Sequence, residues 1–159
     1  MVGIGTAKAD NPGLSTRYSG DGENVVGLER QPRPFVLDPR GRWRVEDTPK
    51  LFGLAENGEG RAPWWITERG GQGLDVRLFE KIHGVGGGVI DVGEYWGKDV
   101  GVDWGTILSR MAENGITSVM IEGGGAVCSL SRLLSELGEY MATLFAFDLG
   151  SKTLISWDR

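Results

Sequence analysis

The stretch from Asp103 to Leu134 constrains the fold most. "DWGTILSRMAENG" places Trp104, Ile107, Leu108 and Met111 on one helical stripe. Asp103 stands where a helix N-cap is expected, and Gly115 where a C-terminal stop is expected. The period then changes. "ITSVMIE" (Ile116 to Glu122) is a β-rich run, "GGG" makes a turn, and "AVCSLSRLLSELG" resumes the helical spacing. Helix, strand, glycine turn and helix in that order are the signature of a layered α/β fold.

Upstream, "RPFVLD" (Arg33 to Asp38) is a proline-bounded apolar run that predicts a buried strand, and "APWWIT" (Ala62 to Thr67) predicts a second. "GGVIDVG" (Gly87 to Gly93) is a weaker third, preceded by the glycines of "HGVGGGV" as a loop leading into it. Val2 to Thr6 is short, glycine-broken and readable as the tail of a strand. Ala9 to Gly27 reads as an irregular loop with a turn at Asn11-Pro12-Gly13. The tail, "YMATLFAFDLGSKTLISWDR", predicts two short strands around Gly150. No repeat or linker divides the chain, so one domain over residues 1–159 is expected.

Composition narrows the chemistry. The 27 glycines are clustered rather than periodic, pointing to turns where backbone approaches something closely. A net charge of −5 without a Lys/Arg run argues against binding nucleic acid through its phosphates. One cysteine, Cys128, allows no intramolecular disulfide, and with one histidine it leaves no four-ligand Cys/His zinc site. No apolar run approaches the roughly 20 residues of a membrane span, and no signal peptide is recognisable. A soluble, cytoplasmic protein without a metal is the expectation.

Two glycine-rich segments carry candidate chemistry. In "SVMIEGGGAV", a strand ending in Glu122 meets a turn that exposes backbone N–H groups at a helix start, which suits an anion. A tight turn without a ligand fits the same pattern. The spacing is neither G-x-G-x-x-G nor a Walker loop. Glu122, at a strand's C-terminal end, can bind a sugar hydroxyl, transfer a proton or cap the next helix. In "GIGTAKADNPGLSTR", Thr6 and Asp10 can hydrogen-bond a nucleotide, and Arg17 offers a fork for a phosphate. Scattered polar residues of a surface loop are the plainer reading. His83 reads as a surface or loop histidine, and the six tryptophans as core and rim packing.

Taken in order, "VGIGTAKADNPGLSTR", "RQPRPFVLDPRGRW", "APWWIT" and "GITSVMIEGGGAV" resemble the pyrimidine reductases of riboflavin biosynthesis, closest to the stand-alone fungal type. The resemblance runs from about Val2 to Leu134, and 135–159 form a divergent tail. It implies a dihydrofolate-reductase-like α/β fold around a mostly parallel sheet, a homodimer, and NADPH as cofactor. The implied reaction is hydride transfer to C1′ of the opened ribose of a phosphorylated pyrimidine, giving a ribitylamino product. By motif matching, Thr6 and Asp10 fall on NADPH contacts, and Gly124, Gly125 and Ala126 on the cofactor phosphate turn. Leu14 and Arg17 fall on substrate positions, with Arg17 toward the phosphate. Glu122 falls on the acidic residue near the substrate sugar, the catalytic candidate.

Two departures go with the resemblance. The family's segment ahead of "VG-x-GT", with a core strand and a functional lysine, has no counterpart in this sequence. The run "D-x-(apolar)-P-x-x-x-G" is not recognisable after Leu134. The expectation is a sheet incomplete at its N-terminal side, repaired by dimerisation or by the tail. A truncated, non-catalytic relative acting as a nucleotide-binding or scaffold subunit is the alternative reading. A reductase of the same fold with another substrate is a third.

Overall fold

A computed structural model describes residues 1–16, 27–44, 49–68, 71–93 and 104–122, together with the backbone of two strands at 144–148 and 152–157. Its strands are β1 (Val2–Gly3), β2 (Phe35–Leu37), β3 (Trp64–Thr67), β4 (Gly88–Asp91), β5 (Ser118–Glu122), β6 (Leu144–Asp148) and β7 (Lys152–Trp157). Its helices are α1 (Ile4–Asp10), α2 (Lys50–Glu56), α3 (Val76–Gly84) and α4 (Trp104–Glu113). The strands form one sheet in the order β4-β3-β2-β1-β5-β7-β6. The first five are parallel, and β7 and β6 continue the sheet antiparallel beyond β5. This is the α/β layered fold around a mostly parallel sheet that the sequence predicts.

The central strands β2 and β3 are buried on both faces. Phe35 and Leu37 join one core while Val36 joins the other, and Ile66 and Trp65 divide the same way. Runs that are apolar throughout, rather than alternating, are what a doubly covered parallel sheet requires. One face packs on α4 through Trp104, Ile107, Leu108 and Met111, the stripe read from the sequence. The other packs on α1, α2 and α3 through Ile4, Ala7, Leu51, Phe52, Leu78 and Ile82. Right-handed crossovers explain the division. The chain steps outward from β1 to β4 with its helices on one face, then reverses direction past β1 to β5 and lays α4 on the other.

Trp65 centres the second of these layers. Phe52 stacks on it at 5.7 Å between ring centroids, and Trp43 meets it edge-on at 6.0 Å. Such pairs contribute roughly 0.5–1.5 kcal/mol each beyond area burial. Trp104 is buried beneath α4, so three of the tryptophans serve the core as expected. Gly87 shows why the "HGVGGGV" turn is glycine-rich: a Cβ there would run into the Pro63 carbonyl and lie 2.8 Å from that of Ile82.

Several local expectations need correction. Only Val2 and Gly3 are strand, and Ile4–Asp10 form α1, so the irregular segment begins at Asn11 and not at Ala9. Ile4 and Ala7, three apart, anchor α1 against the sheet. Asn11 ends it in the left-handed region with its N–H on the Ala7 carbonyl, 3.1 Å. Helices α2 and α3 have no counterpart in the sequence reading. Each buries only two large apolar residues, too few for a clear sequence period, and α2 is set after Pro49 while Asp75 caps α3. His83 therefore lies on a helix, exposed and 4.4 Å from the ring of Phe79. The helix end at Gly115 and the two tail strands agree with the sequence reading, while Asp103 and Cys128 fall outside the described residues.

Candidate functional site

The reversal of strand order puts a switch point between β1 and β5. In open α/β sheets, ligands gather outside the carboxyl ends of strands at such a point. Val2 is in register with both Val36 and Glu122, so the ends of β1 and β5 stand side by side. The Glu122 N–H donates to the Met1 carbonyl at 2.9 Å, which fixes Glu122 beside the start of "VGIGT". Gly3 and Glu122 thus stand at neighbouring positions, although 118 residues lie between them in the sequence.

Gly3 ends β1 and caps α1 in extended conformation, so the chain turns from strand to helix with no loop. A Cβ added at Gly3 or Gly5 would meet no atom of the described residues within 4 Å. These glycines are not demanded by internal packing, and they leave room for a ligand to approach the backbone closely. Thr6, half-buried, follows in the first turn of α1, and Asp10 lies one turn later on the same helix face, exposed.

Leu14 and Glu122 lie apart from that pair and together line an open cavity of about 670 Å³. Leu14 has φ 47°, a left-handed conformation that costs a branched residue on the order of 1–3 kcal/mol. Buried Gln31 holds this segment in place. Its Oε1 accepts from the Thr16 N–H at 2.8 Å, and its Nε2 donates to the Thr16 carbonyl at 3.0 Å. Arg33, Arg61, Ser118 and Met120 border the same cavity. Arg17, Gly124, Gly125 and Ala126 lie outside the described residues.

Sequence reasoning passed over Gln31, Arg33, Arg61 and Asp38 as site or support residues. Asp38 ends β2 with a fully buried carboxylate that accepts from the N–H groups of Arg42 and Trp43 at 2.9 and 2.8 Å. It shapes the "DPRGRW" turn rather than the cavity. The available signal was the density of "QPRPFVLDPRGRW": a buried strand flanked closely by polar residues implies that those residues have fixed partners. Among the described residues, no group of three or more His, Cys, Asp or Glu is placed to hold a metal ion. No helix there is long and apolar enough to cross a membrane.

The model of the RibD C-terminal domain matches residues 1–153. The chain belongs to the RibD C-terminal domain family. Among curated relatives, the chain is 33% identical over 156 residues to the 2,5-diamino-6-ribosylamino-4(3H)-pyrimidinone 5′-phosphate reductase of Eremothecium gossypii, covering 97% of this chain and 57% of that protein. It is 31% identical over 129 residues to the reductase of the same name from Debaryomyces hansenii, covering 80% and 49%. It is 32% identical over 127 residues to the riboflavin biosynthesis protein RibD of Bacillus amyloliquefaciens, covering 80% and 29%. The chain therefore spans about half the length of these fungal relatives. No solved structure matches it. In this member of the family, Gly3 and the acidic strand end Glu122 lie where β1 and β5 meet.

Proposed function

We propose that this chain is a pyrimidine reductase domain of riboflavin biosynthesis. It reduces the ribosylamino side chain of 2,5-diamino-6-ribosylamino-4(3H)-pyrimidinone 5′-phosphate to ribitylamino with NADPH, as one domain over 1–159 in a cytoplasmic homodimer. The observation that carries the reading is the meeting of the ends of β1 and β5 at the switch point, with open backbone at Gly3 and Gly5 beside Glu122.

The residues present fit a dinucleotide. Gly3 and Gly5 leave the close approach that a cofactor's backbone contacts need, and Thr6 and Asp10 supply hydrogen-bonding groups from one face of α1. Gly124, Gly125 and Ala126 follow Glu122 in sequence after Gly123 and are assigned the cofactor phosphates, which bare N–H groups bind well. When bound, NADPH supplies the hydride. The protein contributes orientation and electrostatics. Leu14 and Arg17 are assigned to the substrate, with Arg17 toward its phosphate. Glu122 is assigned to the sugar end, where its carboxyl binds a hydroxyl and exchanges a proton.

The test has two arms. NADPH raises the melting temperature by mass action if the crevice is intact, and the absence of a shift at millimolar NADPH counts against any reductase reading. Turnover of the ribosylamino substrate, lost in Glu122→Gln and reduced in Thr6→Val, supports the full proposal. NADPH binding without turnover in the wild type selects a non-catalytic nucleotide-binding subunit instead. Sedimentation analysis reads the homodimer directly.

A further inference from the structure

Among the described residues, only two non-glycine positions have a positive φ, Asn11 at 41° and Leu14 at 47°. Asparagine tolerates the left-handed region through local hydrogen bonding, and at Asn11 it closes α1. Leucine has neither that side chain nor glycine's freedom, so Leu14 keeps this conformation only because its surroundings impose it. An observed backbone outlier of this kind is a pointer to function.

Side-chain amides pin the segment at both ends. At its start, the Asn11 Oδ1 accepts from the Lys50 N–H, the first of α2, at 2.8 Å. Pro49, at the N-cap of that helix, has no side-chain acceptor, so Asn11 fills the role from another element. Gly13 fits closely between them, because a Cβ there would lie 3.1 Å from the Leu54 Cδ1 of α2. At the far end, buried Gln31 engages both backbone groups of Thr16. The Thr16 N–H donates to its Oε1 at 2.8 Å, and its Nε2 donates to the Thr16 carbonyl at 3.0 Å. A neighbouring strand residue would exchange the same pair of bonds, and here one side chain supplies it. Pro32 confines Gln31 to extended backbone, at φ −68° and ψ 139°. The Gln31 N–H on the Leu28 carbonyl, 3.2 Å, ties it to the preceding turn, so the amide projects from a stiff base. Leu14 lies between the two pins, three residues after Asn11 and two before Thr16.

We propose that Gln31 and Asn11 are positioning residues that hold Leu14 in its left-handed conformation, so the substrate-binding segment is set before a ligand arrives. The inference rests on the reading of Leu14 and Arg17 as substrate residues. Both amides act through the Leu14 backbone, and what they contribute is preorganisation.

Steady-state kinetics of the full chain with the ribosylamino pyrimidine phosphate, joined to amide hydrogen exchange, tests this. Gln31→Met keeps an unbranched side chain of similar size and removes both bonds to Thr16. It raises KM about tenfold or more and alters kcat less than about threefold, while NADPH affinity by calorimetry is unchanged. Exchange of the amides from Leu14 to Thr16 quickens about tenfold or more, and that of α4 does not change. Asn11→Gly keeps the left-handed stop of α1 and removes only the acceptor for Lys50. It gives the same pattern more weakly, and it carries the test should Gln31→Met misfold. Leu14→Gly, which enters the left-handed region freely, closes a double-mutant cycle. In that background Gln31→Met raises KM less than about threefold further, because no strained residue is left to hold.

Additive effects in the cycle mean that Gln31 supports the fold without acting through Leu14, and they overturn the proposal. An unchanged KM in both amide variants overturns it too, as does a loss of kcat and NADPH affinity as large as the rise in KM. Absence of turnover by the wild-type chain sinks the reductase reading instead. The clamp is then judged by exchange alone, upheld if the amides from Leu14 to Thr16 quicken in Gln31→Met and overturned if they do not.

Discussion

Among the described residues, one face of the sheet is closed over β1, β2 and β3 and open over β5. Under α2 and α3 it is sealed by Trp65, Phe52, Trp43, Leu78 and Ile82, all nearly inaccessible. On β5 the residues in register with that face are Ser118, Met120 and Glu122, which border a cavity, and Met120 is 38% exposed. The sealed half spends its side chains on packing, where each methylene counts toward stability. The open half spends them on charge, hydroxyls and bare backbone, which contribute little to folding and can bind. A single sheet therefore separates stability from ligand contact by strand, and substitutions in the two halves should act on different observables.

The sealed half should show the largest effect. Trp65→Ala removes the ring between Phe52 and Trp43 and is expected to cost about 3–5 kcal/mol in urea unfolding. A cost below 1 kcal/mol would break the comparison at its stable end. In the open half, Glu122→Gln should shift the urea midpoint far less than Trp65→Ala does, while turnover falls by about 10²–10⁴-fold, the usual contribution of a positioned acid–base group. Asp38 sits between these extremes. Asp38→Ala strips the acceptor from two backbone N–H groups in a buried turn and should lower stability by about 1–3 kcal/mol, read by the same unfolding assay.

A substitution at Gly5 sharpens the contrast because stability and binding should move in opposite directions. Gly5→Ala stiffens α1 and should stabilise the fold by roughly 0.5–1 kcal/mol. Its methyl also enters the open space beside β1, so NADPH should bind more weakly by calorimetry. Tighter binding would mean the space is not a cofactor cradle. The smallest effect belongs to Asp75, the half-buried cap of α3. The side-chain hydrogen bond from Arg77 is the largest influence holding its carboxyl below the ordinary range, and desolvation opposes it. A depressed value favours the folded state above the unfolded pKa near 3.9. The destabilisation by Asp75→Ala should therefore be present at neutral pH and fade as pH falls through the folded value. A melting-temperature series of variant and wild type from pH 7 to pH 2.5 checks this.

Much of the layered fold was legible because its signals are local. The stripe of α4, the apolar runs of β2 and β3, and the stop at Gly115 each follow from spacing within a dozen residues. Helices α1, α2 and α3 were hidden by their brevity. Their formation depends on burying two residues each against a sheet that must already exist, a tertiary gain that overrides weak local preference. The candidate site divides in the same way. Thr6, Asp10, Leu14 and Glu122 were singled out from motifs, yet nothing in those motifs separates them into a crevice pair and a cavity pair. Gln31 was invisible as a support group, because its role comes from partners that only folding brings near.

By itself, the sequence determined the composition of each layer: which segments are apolar on both sides, where glycine interrupts them, and which family they belong to. Periodicity and turn chemistry are properties of neighbouring residues, so they can be read in one dimension. Only the tertiary structure decided that the chain reverses its march across the sheet between β4 and β5. That reversal puts Glu122 level with Val2. Strand order is fixed by which faces can be buried together, a condition on the whole sheet that no single segment carries.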